Sequence, residues 1–169
     1  MFSFFKKGAT VDEVGSTFAL YVQGRLPDLS YDEDFQYFQN FNIDKSFFEE
    51  ERRYLRASAV DLGTSLELGL HNPKRNVILD AYIDHLLEMT KSGGLPANFM
   101  EKYIEHSLDY TEAIKTPSNI GPHYNVSKVF ASQFSGYAMD SRFISRAEIL
   151  FCSDVLVVRT LLKSIKITF

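Results

Sequence analysis

PKRNVILDAYIDHLLEMTKSGGLPANFMEKYIEHSLDYTEAIKT, from Pro73 to Thr116, is the stretch that decides the fold. Pro73 suits the first turn of a helix, where a missing N–H costs nothing, and Ser92-Gly93-Gly94 stops that helix. Pro96 stands near the start of the next, which runs to Thr116. Ile78, Leu79, Tyr82, Ile83, Leu86 and Met89 share one helical side of the first. Phe99, Met100, Tyr103, Ser107, Tyr110 and Ile114 share one side of the second. So short a connection predicts an antiparallel hairpin of helices, and we expect that pair at the centre of the molecule.

The same periodicity extends both ways. Towards the N-terminus, Thr10 with Glu13, Ser30 with Glu33 and Ser46 with Glu49 each have capping-box spacing, so three helices are expected to begin there. The first carries Val11, Val14, Phe18 and Val22 until Gly24 and Pro27 end it, and the second is short. The third places Phe48, Leu55, Ala59, Leu62, Leu66 and Leu70 on one stripe, with Ser58, Ser65 and Gly69 beside it to admit a close neighbour. Towards the C-terminus a sixth helix runs through Val126, Phe130, Phe134 and Tyr137, after the loop 116–122. Asp140 caps a long last segment with a stripe of Ala147, Leu150, Phe151, Val158, Leu161 and Ile165. The cluster Val155, Val157, Val158 and the alternation through 163–167 leave a C-terminal strand as the alternative there. The sum is an all-α, single-domain helical bundle of six or seven helices over residues 1–169, with 1–45 as an attached N-terminal layer.

Bulk composition narrows the function classes. The 169 residues carry a net charge of −4, so no face is rich enough in Lys and Arg to bind nucleic acid by its phosphates. No run approaches the roughly 18 apolar residues of a membrane span. The start, MFSFFKKG, is a poor secretory signal, and contact of Met1–Lys7 with a membrane surface is a distant option. With one cysteine, Cys152, set among Leu150, Phe151 and Val155, we expect a buried thiol, no internal disulfide and a cytoplasmic protein.

Two segments of the hairpin nearly repeat: YIDHLLE at 82–88 and YIEHSLD at 103–109. The question is whether His85 and His106 with their acids hold a metal. In carboxylate metal sites of bundles, Glu-x-x-His pairs project inward. Here the order is reversed, and at about 100° per residue Asp84, Glu88, Glu105 and Asp109 lie opposite the apolar sides. We therefore expect rim histidines on a solvated face, and no cofactor. A surface or inter-subunit metal site on His85 and His106 is the alternative, since the two fall at nearly one height in a hairpin.

Residues that interrupt apolar stripes are the other candidates. Asp154 lies one turn from Leu150, Phe151 and Val158, so it is either a buried carboxylate needing a partner or, with Ser153, the cap of a fresh helix. Glu51 falls beside Phe47, Phe48 and Leu55 and is expected to stay wet on first turns that overhang the bundle. His123 and Gln133 lie with Val126 and Phe130, and we expect a satisfied core histidine. Convergence of Glu51, His123, Gln133 and Asp154 would make a ligand pocket between helices. No spacing suggests a nucleophile with its base.

In the absence of a catalytic motif, the expected function is a non-catalytic helical module that binds a protein partner or itself, a homodimer being favoured. Its surface is placed on Tyr31, Phe35, Tyr37, Phe38 and Phe41, more rings than one short helix can turn to a single core. A bundle that binds a small ligand or metal, with or without catalysis, is the competing reading.

Overall fold

The computed structural model describes residues 8–26, 29 and 31–169. They form an all-α bundle: α1 (Val11–Gln23), α2 (Tyr31–Gln36), α3 (Lys45–Leu68), α4 (Pro73–Lys91), α5 (Phe99–Lys115), α6 (Pro122–Ser132) and α7 (Ser141–Ser164). A two-residue strand, β1 (Ala9–Thr10), pairs in parallel with β2 (Ile167–Thr168), tying the chain's two ends together. The C-terminal strand is thus confined to two residues, and Val155, Val157 and Val158 lie in a continuous α7. Among the described residues no helix is long and apolar enough to cross a membrane. Met1–Lys7, where membrane contact is only a distant option, the Ser30 cap and the Pro27 stop lie outside the described residues.

Local signals explain most boundaries. Thr10 and Glu13 form the capping box of α1: the Glu13 N–H donates to Thr10 Oγ1, and the Thr10 N–H donates to Glu13 Oε2 at 2.7 Å. Gly24 closes that helix at φ 79°, a left-handed conformation a Cβ would disfavour. Asn72 caps α4 with Pro73 in its first turn, and Asp140 caps α7 by accepting from the N–H groups of Arg142 and Phe143. The start of α3 differs from expectation. Its cap is Asp44, which accepts from Phe47 N–H at 2.8 Å, while the Ser46 hydroxyl donates to the same carboxylate. α6 also stops earlier, at Ser132, and Phe134 and Tyr137 enter the core from turns.

The centre of the bundle is α3, not the pair α4 and α5. α3 buries residues from Phe48 to Thr64 and touches α1, α2, α4, α5 and α7, whereas α4 buries only Ile78, Tyr82 and Leu86, and α5 only Phe99, Tyr110 and Ala113. α4 packs chiefly on α1 and only lightly on α5, so the N-terminal helix is a bundle member rather than an added layer. Two glycines set the closest approaches. A Cβ on Gly15 would stand 2.7 Å from the Ala81 backbone, and one on Gly63 2.8 Å from the Val158 side chain. The apolar stripe of α3 runs out at its end, where Leu66 and Leu70 are exposed.

Many of the phenylalanines gather in one cluster. Phe38, Phe48, Phe130 and Phe143 are fully buried, with Phe38 centroids 5.0 Å from Phe48 and 4.8 Å from Phe143. Each such ring contributes about 2–3 kcal/mol by leaving water. This cluster covers the segment 31–41 from inside. Phe35 packs on Phe48, and Phe41 sits between Tyr137 and Phe143 beneath Arg146. Tyr31 is buried with its hydroxyl donating to the Val22 carbonyl. Of the five residues expected to form an interaction surface only Tyr37 is exposed. The helix ends at Gln36, and the turns after it carry Phe41 inward, which a helical projection could not anticipate.

Candidate functional site

α3 presents polar groups to both of its flanks. Towards α7 and α2, Arg52 and Arg56 are among the largest fully buried side chains. Arg52 binds Asp154 through both Nη groups, with Nη2 2.9 Å from Oδ1, and donates from Nε to Asp34 Oδ2 at 2.8 Å. Arg56 shares Asp34 Oδ2 at 2.8 Å, donates to the Tyr21 carbonyl, and lies over the rings of Tyr31 and Tyr21 at 4.4 and 4.8 Å. The Tyr21 hydroxyl donates to Asp154 Oδ1. Burial works against the charge of Arg52, but Asp154 and Asp34 outweigh it and hold the guanidinium charged. Burial, reinforced by Asp154, drives the Tyr21 hydroxyl well above its ordinary range, so it remains a donor. Tyr31 is pushed up to about 12 by burial, against the pull of Arg56. Asp154 is therefore the partnered buried carboxylate, and it does not cap a new helix. Every carboxylate–guanidinium contact is bidentate or shared, which is the geometry that repays burying charge.

Towards α5 the picture reverses. Glu51 is 4% exposed, and its Oε2, 3.7 Å from His106 Nε2, accepts no hydrogen bond. The expectation of a wet Glu51 fails because α5 crosses the first turns of α3. Lys102 binds Glu50 at 2.5 Å, and the His106 ring stacks on Tyr54 at 4.3 Å. Tyr54 in turn stacks on Phe99. The hydroxyls of Tyr54 and Tyr110 and Nδ1 of His106 are also buried without partners. Burial, then the charge of Glu50, pushes Glu51 up to about 7, with Lys102 offsetting part of this. Burial also lowers His106 from its ordinary value, so its imidazole is neutral at pH 7. Burial followed by Glu51 raises the Tyr110 hydroxyl far above its usual range.

Such a pair can hold and exchange a proton. Space for a reactant is another matter. The enclosed cavity beside Tyr110, lined by Ser58, Tyr103 and Ser107 among others, measures about 30 Å³, room for a water rather than an organic molecule.

The residues singled out from the sequence are thus redistributed. Glu51 and His106, expected in different sites, meet at the α3–α5 seam. Asp154 belongs to the arginine network. His123 rests on Phe151 at 5.6 Å with its Nδ1 buried and unpartnered, so it is not a satisfied core histidine. Gln133 lies at the end of α6 on the wall of an open groove of about 430 Å³ between α5 and α6. No hydrogen bond or ion pair joins any two of Glu51, His123, Gln133 and Asp154. His85 faces α1, with Nε2 3.0 Å from Asp12 Oδ1, and so stands apart from His106, which faces α3. Among the described residues no three His, Cys, Asp or Glu side chains gather as metal ligands. Asp84, Glu88, Glu105 and Asp109 are exposed, as their helical positions require.

Sequence reasoning missed Arg52 and Arg56 as core residues. The signal was present: both fall on the row Phe48, Arg52, Leu55, Arg56, Ala59, at helical spacing with the buried stripe. It also misplaced Cys152, which is exposed on the outward side of α7, because Leu150, Phe151 and Val155 around it point the other way. Comparison with family models, with curated proteins and with solved structures gives no match to this chain.

Proposed function

We propose that the protein is a non-catalytic helical module that associates with a second copy of itself through the outward face of α7. The observation that supports this reading is a stripe of exposed apolar side chains on that helix. Ile149 is 58% and Leu156 63% exposed, with Cys152 between them at helical spacing. Tyr37, 56% exposed, stands with Ile149 on the wall of an open groove of about 690 Å³. Large apolar groups left on a surface in a row are what an interface core requires.

A second copy is the partner this stripe fits. Read in either direction it runs small, large, small, large, small: Ser145, Ile149, Cys152, Leu156, Thr160. In an antiparallel pairing, Ile149 of each copy meets Leu156 of the other, a self-complementary contact of the kind a two-fold axis generates. That pairing also brings Arg142 of one copy near Lys163 of the other, each already paired within its own chain, with Asp140 at 3.2 Å and Glu67 at 3.5 Å. An exposed, unpaired Cys152 fits a reducing compartment, the cytoplasm. The competing reading, a bundle that encloses a ligand among core polar groups, has only a water-sized cavity at the α3–α5 seam to rest on.

Sedimentation velocity tests the proposal. The wild-type chain is expected to sediment as a dimer. Replacement of Ile149 and Leu156 by Ser together should yield a monomer of unchanged helical content. A wild-type chain that stays monomeric at high concentration, or a double variant that still dimerises, overturns it.

A further inference from the structure

The α3–α5 seam carries an inference independent of the α7 face. Glu51 and His106 are both withdrawn from water, their facing atoms are 3.7 Å apart, and Glu51 Oε2 has no other polar neighbour within bonding distance. We propose that Glu51 and His106 form a one-proton pair, holding one proton between them at the seam, so that the docking of α5 on α3 answers to acidity with two opposing slopes rather than one.

The surroundings favour one proton over none or two. On α3 the neighbouring charges are Glu50, held by Lys102 of α5, Arg52, committed to Asp34 of α2 and Asp154 of α7, and Arg53, whose guanidinium lies over the Tyr31 ring. From α5 come Lys102, Glu105, Asp109 and the tyrosine hydroxyl of Tyr110, and α3 adds Tyr54. α6 contributes His123, whose ring is turned to Phe151, and α1 and α4 contribute Asp12 and His85, which are paired with each other. Among the described residues His106 is the one cationic group within ion-pair distance of Glu51, and Lys102, bound to Glu50, offsets only part of the burial. With no proton, a carboxylate is buried beside Glu50. With two, an imidazolium is buried against a neutral acid. With one, the pair is either neutral or internally compensated.

Linkage turns this into opposing slopes. Glu51 rises from 4.5 to about 7 in the folded chain, so over that window the docked state keeps a proton the open state has released, and docking weakens as pH rises. His106 is lowered from 6.5, so below that value the open state takes a proton the docked state refuses, and docking weakens as pH falls. Where the two windows overlap, the open segment holds its proton on His106 and the docked one favours it on Glu51, so the two slopes oppose each other. Above about pH 7 the docked pair loses its proton to solvent and the compensation ends.

Hydrogen exchange of the α5 amides, divided by the intrinsic rate at each pH, measures the opening. Between about pH 5 and 6.5 the wild-type protection factors of α5 should change less than those of either Glu51→Gln or His106→Asn. In Glu51→Gln, with His106 alone titrating, protection should rise with pH, by up to about tenfold per unit. In His106→Asn, with Glu51 alone titrating, it should fall by a similar factor, and His106→Gln serves should the Asn variant fail to fold. Amides in the buried half of α7 provide the reference that does not respond. Slopes of the same sign in both variants, or no slope in either, would overturn the proposal.

Discussion

The two flanks of α3 make a comparison within a single helix. At adjacent positions, Arg52 and Glu51 are both buried ionisable residues, yet Arg52 meets three polar groups, Tyr21 of α1, Asp34 of α2 and Asp154 of α7, while Glu51 meets one imidazole at 3.7 Å. The α7 flank encloses charge in a network of one bidentate pair, Arg52 with Asp154, and one shared carboxylate, Asp34. The α5 flank leaves a carboxyl, an imidazole and two phenols short of partners. A buried charge therefore does not have one meaning in this fold: on one flank it specifies how helices dock, and on the other it sets where a proton resides.

The comparison can be broken first where the effect is largest. Arg52→Ala leaves Asp154 buried without its counter-ion, while Asp34 keeps Arg56, and should cost about 3–5 kcal/mol in urea unfolding. Replacing Arg52 by Met and Asp154 by Leu together removes both charges at similar volume. It should recover most of that loss, a pattern that a double-mutant cycle reads directly.

Next comes the α5 flank. With the Glu51 pKa raised from 4.5 to about 7, the wild type holds a stabilising proton below 4.5 that it loses on passing 7. Its stability relative to Glu51→Gln should therefore fall as pH rises through that window, by up to about 3 kcal/mol. Parallel unfolding curves at the two ends of the window check the sign. Gly63→Ala, which forces a Cβ against Val158 at 2.8 Å on the α7 flank, should cost about 1–3 kcal/mol through overpacking. The smallest effect is expected outside both flanks. Replacing Ile149 and Leu156 by Ser removes exposed side chains and should change monomer stability by less than about 0.5 kcal/mol, although it abolishes the proposed dimer.

The ease of reading each feature follows its range. Caps at Thr10, Asn72 and Asp140 and the stop at Gly24 depend on three or four neighbouring residues, so they are legible in the sequence. Asp44 supplanted Ser46 because either can cap within the same turn, and the carboxylate is the stronger acceptor for Phe47 N–H. What pairs with what is not local. The rank of α3 as the central helix depends on Arg52 and Arg56 being buried, and an arginine on an apolar row reads as a break until its acids, on α2 and α7, are known. Glu51 and His106 illustrate the same limit, since neither has a local partner that predicts the other. The near repeat at 82–88 and 103–109 drew attention to both histidines, and the structure gives them unlike settings: His85 on Asp12 at the surface, and His106 stacked on Tyr54 in the seam.

Direct titration of the Glu51 side-chain carboxyl by carbon-13 NMR in the folded chain tests the contrast between the flanks most directly. A midpoint near pH 7, shifting only slightly with added salt because the group is buried, is the predicted result. A midpoint at the ordinary 4.5 would mean that water reaches Glu51, and that the α5 flank is a solvated edge rather than a buried seam.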